Sequence, residues 1–150
     1  MEHFRVVMST QQMQFILIDD DLDEHYLFER DCKRHAPQVA LQCFDSWHAF
    51  DEFMSDKAGS GLGRSVVLLD LNMPDISGHE VIEKMRSDER YKALPIVVYS
   101  TSKSQADIQL SYALGANSFI TKPADRAEAE SLTSSLAEYW AKCVELPVSC

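Results

Sequence analysis

The sequence predicts a doubly wound α/β domain, a five-stranded parallel sheet with helices on both faces. Two observations carry that expectation. Short apolar runs alternate along the chain with segments patterned at the helical period, and strands alternating with helices imply parallel pairing through right-handed crossovers. The strongest run, Val66–Leu69, is continuously apolar and bounded by turn residues, as expected of a strand buried on both faces.

Each element has its own signal. Gln14–Ile18 reads as the first strand and ends in three acids, Asp19, Asp20 and Asp21. Asp23 is placed to cap a helix from about Glu24 to His35, which Pro37 closes. Val39–Phe44 is the second strand. Ser46 then caps a helix whose Trp47, Phe50, Phe53 and Met54 recur at helical spacing and point to the core. Gly59–Gly63 reads as a loop, and the central strand follows, ending in Asp70. Val81, Ile82 and Met85 form the buried stripe of a third helix that ends before Pro95. Ile96–Tyr99 is the fourth strand and finishes in Ser100, Thr101 and Ser102. A fourth helix, Gln105–Leu114, stops at Gly115. Asn117–Thr121 is the fifth strand, running into Lys122-Pro123. Asp125 with Glu128 three residues on is a capping-box pattern for a long last helix to about Val144. The expected organisation is an arm over residues 1–13, one domain over 14–145 including the C-terminal helix, and a tail over 146–150. Met8 offers an alternative start, which leaves open whether residues 1–7 belong to the native protein.

Composition narrows the function classes. With 14 Lys and Arg against 24 Asp and Glu, the chain carries a formal charge of −10. That disfavours nucleic acid, whose binding needs clustered cations, and anionic membrane surfaces. No apolar stretch approaches the roughly 20 residues of a membrane span, and the N-terminus lacks a signal-peptide pattern, so the expected location is cytoplasmic. Cys32, Cys43, Cys143 and Cys150 show no CxxC spacing, so they suggest free thiols, with neither a zinc site nor a redox pair.

Ligands of open α/β sheets sit beyond the carboxyl ends of the strands. Parallel pairing brings those ends to one edge, so Asp19 and Asp20, Asp70, Ser100 and Lys122 should converge there. Three carboxylates within about 5 Å repel by roughly 3 kcal/mol per pair at an effective dielectric near 20. A cation relieves that repulsion, and hard oxygen ligands with room for water suit Mg²⁺ better than zinc. Lys122 adds positive charge and Ser100 a hydroxyl donor. Together they describe a pocket for a phosphoryl group carried on a nucleophilic carboxylate.

The stretches FILIDDD, VVLLDLNMPDISG, LPIVVYSTS and SFITKPAD resemble the four signature stretches of response-regulator receiver domains of two-component signalling. The resemblance covers about residues 14–140 and implies the flavodoxin-like receiver fold. It also implies that Asp70 accepts a phosphoryl group from a sensor histidine kinase in a phosphorelay. It further implies that Asp20 ligates Mg²⁺ directly and Asp19 through water, with Asn72 giving its backbone carbonyl. Ser100 and Lys122 would complete the chemistry, Phe119 would be the aromatic switch position, and Asp21 would be solvated. Two departures stand out. Ser77 precedes the loop glycine where Asp or Asn is commoner, and Phe119 lacks the hydroxyl of the frequent Tyr. The end of the chain, LAEYWAKCVELP, is similar to the tails of small stand-alone regulators that serve phytochrome-type sensor kinases.

A stand-alone receiver implies a binding switch with only self-directed phosphoryl chemistry, not an enzyme acting on a separate substrate. A Mg²⁺-dependent phosphatase or phosphotransferase of the haloacid-dehalogenase kind is the alternative from the enzyme class. It needs a second acid where Asn72 stands. A silent pseudo-receiver adaptor is the third reading, and the full set of pocket residues argues against it. The output surface is expected on the fourth helix, fifth strand and fifth helix. There Ala106, Leu110, Ala113 and Leu114 form one stripe and Ile108 and Tyr112 another, while Tyr139, Trp140 and Val144 are placed to extend past the sheet toward a partner or a homodimer. The competing expectation is that Trp140 folds back on the domain itself.

Overall fold

The computed structural model of the chain describes residues 12–56 and 62–147. The first eleven residues of the arm, most of the Gly59–Gly63 loop and the end of the tail lie outside them. In chain order the elements are β1 (Gln14–Ile18), α1 (Leu22–His35), β2 (Ala40–Phe44), α2 (Trp47–Asp56), β3 (Ser65–Leu69), α3 (Gly78–Arg86), β4 (Ile96–Ser100), α4 (Gln105–Leu114), β5 (Ser118–Thr121) and α5 (Arg126–Ala137). A π-helical stretch, Glu138–Cys143, continues α5. The strands form one sheet in the order β2-β1-β3-β4-β5, and every pairing is parallel. The predicted doubly wound architecture is the observed one.

Alternation along the strands divides the core into two layers. Ile16, Ile18, Val67, Leu69, Ile96 and Val98 face α2 and α3, packing on Trp47, Phe50, Val81, Ile82 and Met85. Phe15, Leu17, Val66, Leu68, Val97 and Tyr99 face α1 and α5, packing on Phe28, Cys32, Leu136, Ala137 and Trp140. β3, in the middle, is buried at every residue. This is the continuous apolar run that the sequence shows.

Several boundaries differ from expectation. α1 begins two residues early because Asp21, not Asp23, is its cap, accepting from the Asp23 backbone N–H. Asp21 is therefore a structural cap rather than merely a solvated acid. β2 and β5 each start one residue late, and α5 gives way to the π-helical stretch after Ala137. Trp140 turns back: it is 8% exposed within the α1–α5 layer, and its ring stands edge-on to Tyr139. On α4 the buried residue is Ser111, while Ala106, Leu110, Tyr112 and Ala113 lie exposed. Among the described residues, no helix is long and apolar enough to cross a membrane.

Candidate functional site

β1 connects to β2 on one side and the chain then crosses to β3 on the other, so the order reverses between β1 and β3. A crevice opens at such a switch point, beyond the carboxyl ends of the strands. Asp19 and Asp70 are the residues just past those two ends. The ladder carries one step beyond each strand to seat them: Asp19 N–H donates to Phe44 C=O at 3.1 Å and Asp70 N–H to Ile18 C=O at 3.0 Å. Asp19 is fully buried and Asp70 is 6% exposed; Asp20 stands exposed at the rim. One carboxylate oxygen from each of the three lies within 4.8 Å of the others.

Lys122 reaches this cluster from the end of β5. Its backbone N–H donates to Ser100 C=O at 2.7 Å, which carries the β4–β5 pairing one residue beyond the strand and aims the side chain inward. The ammonium lies 2.8 Å from Asp19 Oδ2 and 3.9 Å from Asp70 Oδ1, and 5.7 Å from the centre of the Tyr99 ring. Burial alone would pull its pKa down; the hydrogen bond to Asp19 and the charges of Asp19, Asp70 and Glu24 hold it above the ordinary lysine value. Asp19 Oδ1 meanwhile accepts from Asp21 N–H at 2.9 Å, so both of its oxygens are engaged.

Asp70 is the perturbed group. Burial pushes its carboxyl from 3.8 up to about 6; Lys122 opposes the shift, Asp19 adds to it, and the Asn72 backbone N–H bonded to the carboxylate opposes it again. One ammonium therefore does not neutralise three acids. The donor set is all hard oxygen and retains excess negative charge, the combination that suits Mg²⁺. Oxygens around that ion are about 3 to 4 Å apart, which the observed spread approaches. Asp19, Asp20 and Asp70 fit such a group.

That loop is held by a glycine. Gly78 N–H donates to Leu71 C=O at 2.9 Å, and a Cβ on Gly78 would stand 2.5 Å from the Asp70 carbonyl oxygen and 2.7 Å from Leu71 Cα. Only a residue without a side chain lets α3 begin so close to the strand end. Ser77 caps α3 by accepting from Glu80 N–H, so the departure noted in the sequence leaves the local geometry sound.

Ser100 is fully buried, and its hydroxyl oxygen accepts from Ser102 N–H at 3.2 Å. Phe119 is half-buried against the α2–α3 layer, and its backbone N–H donates to the Tyr112 hydroxyl at 3.2 Å. That bond ties β5 to α4 through the Phe119 main chain, not through its ring.

The structure adds three neighbours that the sequence reading did not single out. His25 Nε2 lies 2.6 Å from the Asp19 backbone oxygen. Glu24 is half-buried, and that burial pushes its carboxyl up against the pull of Lys122. The Tyr99 ring sits beside the lysine. Glu24 and His25 lie in the first turn of a helix that follows a site strand, the one signal that pointed to them.

The family profile described as "Response regulator receiver domain" matches residues 15–133. Response regulator Rcp1 of Synechocystis is 31% identical over 85 residues, 57% of this chain and 58% of that protein. The probable methanogenesis regulatory protein FilR2 of Methanothrix harundinacea is 39% identical over 83 residues, 53% of this chain and 54% of that protein. The matches thus span little more than half the length of these two relatives. The phosphorylated cyanobacterial phytochrome response regulator RcpA superposes with a TM-score of 0.80 at 26% identity, covering 89% of this chain and 97% of that one. With a profile match over most of its length, this chain belongs to the response regulator receiver domain family of two-component signalling.

Proposed function

We propose that this chain is a phosphorylation switch that takes a phosphoryl group on Asp70 from a histidine of a sensor kinase and changes its binding to a protein partner. The observation that carries the reading is the Lys122 ammonium set 2.8 Å from Asp19 and 3.9 Å from Asp70, beside three carboxylates that gather within 4.8 Å. Asp19, Asp20, Asp70 and the Asn72 carbonyl would hold Mg²⁺, which when bound supplies positive charge against the transferring phosphoryl oxygens.

The chain's own residues do the rest. An Asp70 carboxylate oxygen attacks the phosphorus of a phosphohistidine; the new P–O bond forms as the P–N bond breaks, and the imidazole leaves with the electron pair and takes up a proton. The attack needs an ionised Asp70, which a pKa of about 6 leaves available at neutral pH. Lys122 and the Ser100 hydroxyl bind the oxygens of the arriving group, where preorganised donors count for more than in water. Asp19 holds Lys122 in place. The chemistry is self-directed, ending in loss of the group to water, with no separate substrate turned over. Similarity to the cyanobacterial phytochrome response regulator RcpA supports a phytochrome-type kinase as the donor.

The face of α4, β5 and α5 is the surface read by the partner or by a second copy. It exposes Leu110 and Tyr112 on α4, and Tyr139 just beyond α5, side chains that a protein partner can bury. The test is incubation with acetyl phosphate and Mg²⁺, followed by intact-mass measurement. One added phosphoryl group, removed by hydroxylamine as an acyl phosphate is and absent in Asp70→Asn, is expected. A group that survives both hydroxylamine and the substitution would refute the reading.

A further inference from the structure

A line of hydrogen bonds runs from Ser100 out of the site, through α4, and back to α3. It starts where the Ser100 hydroxyl oxygen accepts from Ser102 N–H. The Ser102 hydroxyl in turn donates to Asp107 Oδ2 at 2.6 Å and accepts from Ser104 N–H at 3.2 Å. Asp107, in the first turn of α4, has its N–H bonded to the Ser104 cap at 3.3 Å. Its backbone oxygen accepts from the buried Ser111 hydroxyl at 2.7 Å.

His79 closes the line from the other helix. Its Nε2 lies 3.1 Å from Ser111 Oγ and 3.3 Å from the Asp107 backbone oxygen. The Ser111 proton is committed to Asp107, so its oxygen accepts, and His79 is the donor to both. His79 follows Gly78 directly, and Gly78 is the residue bonded to Leu71 C=O and pressed on the Asp70 carbonyl. The start of α3, at the phosphoacceptor loop, and the first turns of α4, beyond the Ser100 loop, are therefore tied outside the site through the His79 imidazole, while Arg86 at the far end of α3 donates to Gly115 C=O at 2.9 Å.

The geometry points to His79 as a positioning residue that latches α4 in the resting arrangement, and so sets how readily the switch is thrown. The inference rests on the phosphorylation reading above. The line as it stands requires the Ser100 hydroxyl to be engaged by Ser102 N–H. When that hydroxyl turns to a phosphoryl oxygen on Asp70, the bond to Ser102 N–H is given up. Ser102 and the Asp107 side chain are then drawn from their places, and the His79 bonds to Asp107 and Ser111 resist the displacement. Bonds that favour the resting arrangement oppose whatever binds the other one, by the same free energy. Removing the latch must therefore tighten binding of a phosphoryl mimic, whereas a residue that only supported the fold would weaken it or leave it alone.

The experiment is calorimetric titration of the full chain with beryllium fluoride in saturating Mg²⁺, on wild type, His79→Ala and His79→Gln, with urea melts of each. Loss of one net hydrogen bond corresponds to roughly fivefold tighter binding in His79→Ala. The glutamine variant, which keeps an N–H donor, should stay within about twofold of wild type. Asp107→Asn, which weakens the Ser102 bond and keeps the helix cap, should tighten binding in the same direction. Wild-type binding with unchanged or weaker affinity in His79→Ala overturns the latch alone. If wild type binds no mimic at all, the phosphorylation reading falls and takes the latch with it.

Discussion

Asp70→Asn should stabilise the unphosphorylated, metal-free protein at neutral pH. The carboxyl is 6% exposed and stands among acids that Lys122 does not balance. Burial is the first cause of its rise from 3.8 to about 6, and Asp19 and Asp20 add to it. The sign follows from proton counting. Between those two values the folded chain holds a proton that the unfolded chain has lost, so stability falls as pH rises through the window. Above about pH 6 the full cost of ionising the buried group is present. A shift of roughly two units is worth about 3 kcal/mol. Asparagine keeps the shape and never ionises, so the variant should exceed wild type by up to about 3 kcal/mol at pH 7.5, or roughly 6–12 °C in Tm for a chain this long. At pH 4 the difference should nearly vanish. Urea unfolding of both proteins in chelator, at the two pH values, measures it. Equal stabilities at pH 7.5, or a gap that persists unchanged at pH 4, would refute the electrostatic reasoning.

Lys122→Met should cost on the order of 3–5 kcal/mol at neutral pH, because it removes the ammonium 2.8 Å from the buried Asp19 carboxylate; urea melts within about 0.5 kcal/mol of wild type would contradict this. Gly78→Ala forces a Cβ to 2.5 Å from the Asp70 carbonyl, so a loss of about 2 kcal/mol or more is expected, together with a smaller rise in Tm on adding Mg²⁺. Asp20→Ala should remove most of the wild-type Mg²⁺ stabilisation seen in thermal melts, since it takes one of the three gathered carboxylates. Trp140→Ala should cost about 3–5 kcal/mol as a core truncation, whereas Tyr139→Ala should leave stability near wild type. Sedimentation of the two variants separates packing from surface, and a change of oligomeric state in a fully stable Trp140→Ala protein would return Trp140 to the surface.

Most of the architecture was legible because parallel sheets are read from simple signs. A continuous apolar run bounded by turn residues, such as Val66–Leu69, fits a central strand, and α4 stops at Gly115 as expected, while its Ser104 cap was not read from the sequence. Gly115 adopts φ 116°, which is the physical content of that stop signal. The start of α1 was less legible because Asp21 and Asp23, two residues apart, can each cap a helix. The structure takes the earlier one: Asp21 accepts from Asp23 N–H, and its own N–H is anchored on Asp19 Oδ1. The fate of Trp140 was open for a similar reason. A helical stripe shows which residues share a face, not where the face comes to rest, and the π-helical stretch begins two residues before the tryptophan.

The site itself divides along the same line. Asp19, Asp70, Ser100 and Lys122 were readable because one rule, that parallel strand ends share an edge, turns four distant positions into neighbours. His25, Glu24 and Tyr99 escaped it, since their approach depends on helix rotation and strand parity. The line through His79 escaped it more completely. His79 and Asp107 are 28 residues apart on adjacent helices, and neither residue type is unusual where it sits. Yet the energies put the two tiers on one scale. The ionised Asp70 raises the resting state by about 3 kcal/mol, and couplings between sites in proteins run at 1–3 kcal/mol. A cation held by those carboxylates relieves that cost whichever way α4 stands, so on the proposed reading the latch yields only to what differs between the two arrangements, the turn of the Ser100 hydroxyl to a phosphoryl oxygen.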